Sequence, residues 1–302
     1  MSMDSTQLLY DIHNGETFGS LIAIYFYLTG LSAGSFIIST LSYGFGFERF
    51  KPLGKIGIVI ATLLLVAAPM FLLAHSGQRL RVWHLFVYLR FTSPITWGSF
   101  LLILYPINCI IYGFYMFRGQ MRLTRIFGLI GIPLALMVHG YTGFILAFGK
   151  ARPLWNSSIM PLLFLVSAIV SGIAMMIIVS VVRDRFFTKE HRINTDILSG
   201  LASMLGWCLV FDLFLTGCEI VIHSISHLGA QESTALLLTG SFAGLFLVLE
   251  NLVGKVIPLV VTFTPSTRRS IPILLIASLL VMIGIYTMRY NVVVGGEYIP
   301  LL

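Results

Sequence analysis

Eight apolar runs organise this chain and leave few folds open to it. They fall near residues 18–43, 56–76, 95–117, 126–148, 159–182, 197–224, 238–263 and 270–288. Each is about as long as the roughly 20 residues that a helix needs to cross a hydrocarbon core. Hydrogen bonds cannot be left unmade in lipid, so consecutive apolar runs of this length read as helices rather than open sheets. Only 10% of the 302 residues are charged, against about 25% in a soluble domain. The fold expected is all-α: a polytopic membrane protein with eight transmembrane helices in two four-helix bundles, forming one transmembrane domain over 1–302.

Charge placement orients the helices. Arg49, Lys51, Lys55, Arg118, Arg122, Arg125, Arg183, Arg185, Lys189, Arg192, Arg268 and Arg269 lie in connections on one side. The side holding the N-terminus has only Arg79, Arg81, Arg90, Lys150, Arg152 and Arg289. The positive-inside rule places the first set in the cytoplasm and both termini outside. Lys255 stands inside the seventh run and is expected to snorkel toward the cytoplasmic face. The net charge of +7 is scattered over short loops, which excludes a nucleic-acid footprint. Residues 1–17 contain no Lys or Arg, so no secretory signal is expected. Cys109, Cys208 and Cys218 sit inside apolar runs without metal spacing and read as small packing residues. Gly30 and Gly34, Ser167 and Ser171, and Gly240 and Gly244 stand four apart. Such pairs let helices approach closely.

Ionisable groups inside the membrane cost on the order of 2.5–3.5 kcal/mol each on insertion scales, and each needs a reason. Asp212, Glu219 and His223 share one face of the sixth helix at spacings of seven and four. Such a ladder suits proton movement; hydrogen bonds to neighbouring helices are the structural alternative. Glu250 lies mid-helix in the seventh run, where proton relay and packing account for it equally. Asn108 reads as a bridge between helices.

A second group gathers at the outer ends of several helices: Tyr25, His75, Arg79, Arg81, His139, Tyr141, Glu219 and His223. The segment His75–Phe100, HSGQRLRVWHLFVYLRFTSPITWGSF, alternates arginines with rings and belongs at the membrane–water boundary. Donors collected at one depth suit a quinone headgroup. Its two carbonyls need hydrogen bonds, its redox change moves two protons with two electrons, and its tail needs an apolar slot. Haem b held by His75 and His139 is a rival. A secondary transporter built on the buried carboxylates is another, although no inverted repeat with matching interrupted helices is visible.

Several stretches resemble one family. HSGQRLRVWHLF followed by SPITWGSFLL, then GYTGFILAFGKARPLWN, LENLVGKVIPL and MRYNVVVGGE, in that order, are similar to the signatures of the NrfD/PsrC family. These are the quinone-interacting membrane subunits of polysulfide-reductase-type complexes. The resemblance implies a quinone site on the external side of a prokaryotic cytoplasmic membrane. It also implies a docked four-cluster ferredoxin-like iron–sulfur subunit and a molybdopterin or multihaem catalytic subunit beyond it. Tyr141 stands where the family places a tyrosine at the headgroup. His75 stands where many members carry Asp or Glu. In the polysulfide reductase an Asn and a His precede a Gly-Leu-Ala-Gly run; here Ile22 and Tyr25 precede Gly30-Leu-Ser-Ala-Gly34.

The function expected is electron and proton exchange between menaquinone or ubiquinone and an external iron–sulfur partner, with no haem or cluster held by this chain. Tyr141, Tyr25, His75 and His139 would hold the headgroup, with Arg79 and Arg81 beside it. Asp212, Glu219, His223 and Glu250 would carry protons. Trp83, His84, Phe86 and Arg90 would form the docking surface.

Overall fold

A computed structural model describes residues 18–76, 81–186 and 195–298. Eight of its helices are long and apolar enough to cross a membrane. In chain order the elements are α1 (Ser20–Tyr43), α2 (Lys51–His75), the short α3 (His84–Val87), α4 (Pro94–Phe117), α5 (Met121–Ala147), α6 (Met160–Phe186), α7 (Thr195–Ser224) and α8 (Leu228–Leu238). A π-helical segment, Gly244–Val256, follows and continues into α9 (Ile257–Phe263), α10 (Pro265–Arg268) and α11 (Ile271–Tyr298).

α1 and α6 are the most enclosed spans, 72% and 67% buried along their most apolar stretch, against 44% or less for the other six. Their composition permits this. Gly34 lies against Gly172 with backbone touching backbone, an approach that only small residues allow. Ser32 Oγ donates to Ala61 O at 2.7 Å and Ser39 Oγ to Gly54 O at 2.6 Å, tying α1 to α2. α1 also packs on α5, α6 and α11, so it joins the α2–α4–α5 side of the molecule to the α6–α7–α11 side. Asn108 Nδ2 donates to Phe127 O at 3.1 Å, bridging α4 and α5 as expected. The N–H of Phe18 donates to Glu297 Oε1 at 2.6 Å, which brings the start of α1 and the end of α11 to one face.

Three expectations need correction. The last span does not stop at 288 but runs to Tyr298, so Arg289 is an interior residue, 1% exposed, rather than a loop charge. Lys255 does not snorkel; it is fully buried. Gly240 and Gly244 do not share a helix face: Gly240 lies in the turn after α8, and a side chain at Gly244 would meet nothing within 4 Å. The connection after α7 contains α8, whose buried Ala230, Ser233, Thr234 and Leu237 form one helical face.

The π-helical segment is pinned by Gly254, which lies directly against Gly284 of α11. A valine at 254 would force the two backbones apart. Overpacking of this kind costs about 1–3 kcal/mol. Gly254→Val is therefore expected to lower the thermal unfolding midpoint of the detergent-solubilised protein. Gly244→Ala, in open space, should leave that midpoint unchanged; equal behaviour of the two variants would refute the contact's importance.

Candidate functional site

A cavity of about 260 Å³ opens at the end of the α1–α2–α4–α5 side. α1 lines it with Ile22, Tyr25 and Phe26, α2 with Leu72, Leu73 and His75, α4 with Ile95, Gly98, Ser99 and Leu102, and α5 with Tyr141 and Ile145. Val82 and Leu85 of the α3 segment close one wall. Tyr25 is buried at 3% exposure. Tyr141 takes its place because residue 98 is glycine: a Cβ there would occupy the phenol ring. Two phenols and an imidazole therefore converge in a chamber whose other walls are mostly apolar. Leu73, Leu85 and Ile95 are exposed as well as lining it, so the chamber communicates with the surroundings between the end of α2 and the start of α4.

Of the predicted headgroup residues, Tyr25, His75 and Tyr141 meet at this cavity. Arg81 is exposed and is not among its lining. Arg79 lies outside the described residues. His139 points elsewhere. It is fully buried, its Nε2 lies 2.9 Å from Phe164 O and 3.0 Å from Arg289 Nη2, and its ring packs beside Gly30. Its Nε2 is thus engaged with α6 and α11 rather than turned to the chamber, while its Nδ1 has no hydrogen-bond partner among the described residues.

The segment between α2 and α4 presents rings outward. Trp83, Phe86, Tyr88 and Phe91 are exposed, as is Arg90. His84 sits edge-on between Trp83 and Tyr88, at centroid distances of 4.1 and 5.5 Å. The segment is fastened to α4: the Arg90 N–H donates to Thr96 Oγ1 at 3.3 Å and Trp97 Nε1 to Phe91 O at 2.8 Å. Its surface of rings and cations is thus held in place rather than left as a loose loop.

The predicted carboxylate row is found on the other side of the molecule, with an unexpected cation at its centre. Lys255 Nζ lies 2.9 Å from Asp212 Oδ2 and 3.2 Å from Glu250 Oε1, and donates to Thr216 Oγ1 at 3.0 Å. An ammonium has three N–H groups; two donate, to Thr216 Oγ1 and Glu250 Oε1, and Asp212 adds an opposite charge in ion-pair contact. Glu250 Oε2 accepts from Asn291 Nδ2 at 2.8 Å. The π register makes this possible. It stacks residue i on i+5, whereas five residues of α-helix would turn Lys255 about 140° away from Glu250. Glu219 and His223 continue the row and line a smaller cavity of about 30 Å³ with Glu250 and Asn291. His223 reaches two backbone carbonyls, Glu219 O at 2.9 Å and Pro153 O at 3.2 Å.

Sequence reasoning missed the partnership of Lys255, Thr216 and Asn291, and the burial of Arg289. A signal for the last two existed: the apolar VVVGG after Arg289 and Asn291 continues the span past the polar interruption. No helical spacing rule pairs residues five apart, so Lys255 carried no comparable signal. Removing one partner of a buried pair costs about 3–5 kcal/mol. Lys255→Met should therefore destabilise strongly in thermal unfolding, and adding Asp212→Asn should recover part of the loss. Additive losses in the double variant would disprove the pairing.

The chain has relatives along nearly its whole length. The family model described as polysulphide reductase, NrfD, matches residues 10–300. The chain is 26% identical to a selenate reductase subunit of Mesobacillus selenatarsenatis, over 94% of this chain and 75% of that protein. It is 26% identical to the Hdr-like menaquinol oxidoreductase integral membrane subunit of Archaeoglobus fulgidus, over 99% and 75%. It is 27% identical to a polysulfide reductase chain of Wolinella succinogenes, over 91% and 93%. With a family match that runs nearly end to end on a chain of eight membrane-spanning helices, this protein belongs to the NrfD family of multi-pass membrane proteins.

Proposed function

We propose that this protein is the quinone-reactive membrane subunit of a respiratory oxidoreductase complex. It exchanges two electrons and two protons between a lipid-soluble quinone and an iron–sulfur subunit docked at its outer face. The observation that carries this reading is the meeting of Tyr25, His75 and Tyr141 in one apolar chamber with an exposed apolar side. A quinone headgroup has two carbonyl acceptors on a flat apolar ring, and the chamber supplies O–H and N–H donors on apolar walls. When bound, the quinone supplies the two-electron chemistry. The protein's part is to hold the carbonyl oxygens by the Tyr25 and Tyr141 hydroxyls and to pass protons at those oxygens through His75, which stands at the rim. The tail would leave past Leu73 and Ile95.

The distribution of basic residues supports placing the chamber on the external side of a prokaryotic cytoplasmic membrane. The names of the relatives, which include selenate reductase, polysulfide reductase and menaquinol oxidoreductase subunits, support assembly with a catalytic subunit and favour menaquinone over ubiquinone. The ring-and-arginine surface of Trp83, His84, Phe86 and Arg90 is the docking surface for an iron–sulfur subunit of the four-cluster ferredoxin type, with a molybdopterin or multihaem subunit beyond it. Asp212, Glu219, His223 and Glu250 form a proton-transfer row on the other side of the molecule.

Tyr141→Phe removes one hydroxyl and keeps the ring. A hydrogen bond to a group that gains charge contributes about 1.5–3 kcal/mol. Quinol oxidation or quinone reduction by the purified complex should fall on the order of ten-fold or more; unchanged turnover would remove Tyr141 from the site. The isolated subunit should also show no Soret absorption, and a Soret band would transfer support to haem.

A further inference from the structure

Arg289 is a buried cation inside the last span whose contacting groups are all neutral. It is 1% exposed. Its Nη2 donates to Phe164 O at 3.0 Å and to Ser167 Oγ at 2.6 Å, and lies 3.0 Å from His139 Nε2. Its guanidinium carbon sits 3.7 Å from the centre of the Phe164 ring. Nε and Nη1 have no hydrogen-bond partner among the described residues. Lys255, the other buried cation, is paired with two carboxylates; among the described residues Arg289 forms no ion pair with any.

A guanidinium does not give up its proton in proteins, so this charge is permanent. Serine, a carbonyl, an imidazole and a ring orient it without cancelling it, and the carboxylates of Asp212 and Glu250 act on it only from beyond contact distance. Its field therefore extends through surroundings of low polarity, where charges are felt much farther than in water. Two ring steps lie between Arg289 and the chamber: 3.7 Å from the guanidinium to Phe164, then 5.8 Å from Phe164 to Phe26, which lines the chamber wall. Both steps cross aromatic, apolar ground. On the opposite side of the same turn, Asn291 reaches Glu250, so the negative ion row lies toward the other half of the molecule.

We infer that Arg289 is an electrostatic positioning residue for the chamber, whose fixed charge makes the site favour an anionic headgroup over a neutral one of the same shape. This rests on the reading of the chamber as a quinone site. A donor that loads negative charge onto a headgroup oxygen would be helped by such a charge, although Arg289 never touches the ligand. The preference should be about ten-fold, the order expected of one unit charge acting over about two ring diameters in an effective dielectric of about 20.

The test uses two tail-less probes of nearly equal shape, 2-hydroxy-1,4-naphthoquinone, ionised at neutral pH, and its neutral methyl ether. Dissociation constants of both are measured for the purified full-length protein in lipid nanodiscs. Arg289→Gln should weaken the anion about ten-fold and leave the ether within about two-fold, and Arg289→Lys should restore most of the anion's affinity. Ser167→Asp supplies a second route that keeps the arginine: a carboxylate at the Oγ position would pair with Nη2 and should produce the same selective loss. Equal losses for both probes would reduce Arg289 to a packing role, and unchanged ratios in both Arg289→Gln and Ser167→Asp would show that its field does not reach the chamber. If neither probe binds the unaltered protein, the quinone reading itself falls, and this inference falls with it.

Discussion

The three-way grip on the Lys255 ammonium is the interaction on which one side of this molecule depends. A bare ammonium in hydrocarbon would be prohibitive, and even a buried ion pair returns little net stability unless every donor is satisfied. Thr216 and Glu250 accept two of its hydrogens and Asp212 adds an opposite charge at 2.9 Å, while Thr216 in turn donates its own hydroxyl hydrogen to Asp212 O at 2.9 Å. α7 supplies two of these partners at i and i+4, and the π-helical segment supplies the lysine and the other carboxylate at i and i+5. The pairing therefore specifies both the register of α7 and the departure of its neighbour from α-helical geometry. Long π segments are rare and are found mostly at functional sites. Here its immediate physical effect is clear: it turns a residue that would face lipid into the centre of the ion row.

The two sides of the protein solve different problems in the same solvent. The α1–α2–α4–α5 side keeps a cavity open, and does so with small residues elsewhere: Gly34 on Gly172, Ser32 and Ser39 reaching α2, and Gly98 yielding its space to Tyr141. The other side concentrates charge around a cavity of about 30 Å³. α11 belongs to both. Within one turn it sends Arg289 toward α5 and α6 and Asn291 toward the π segment. A change of charge on either side is thus felt through a helix whose end is anchored by Trp155 Nε1 donating to Val292 O at 2.7 Å and by Phe18 donating to Glu297.

How much of this was legible beforehand follows from which physical signals are local. Membrane spans were legible because hydrocarbon thickness imposes a length that a linear run of residues displays directly. The convergence of Tyr25, His75 and Tyr141 was legible because depth can be counted along each helix, and donors at one depth have few places to go. Azimuth could not be counted. His139 lies two residues from Tyr141, which on a helix is a rotation of about 200°, and it accordingly faces α6 and Arg289 rather than the chamber. Polar residues inside the last span hid its true length, because hydropathy registers cost and not compensation. Arg289 and Asn291 look like the end of a helix until their partners 122 and 41 residues away are known.

Lys255 shows the same limit more sharply. Snorkelling is the ordinary fate of a lysine within reach of an interface, because the stem is apolar and the head reaches water at little cost. It fails here because three polar partners already wait in the interior, none of them recognisable as such from spacing alone. Asp212 and Thr216 share a helix face, but Glu250 pairs with Lys255 only if the backbone abandons the α-helical period. The choice between interior and surface is therefore made by tertiary contacts, chiefly the close approach of Gly254 to Gly284 that holds the π segment against α11. Buried charge and irregular helix are in this sense one feature: the row needs the π register to form, and the π register is held where the row and two glycines together favour it.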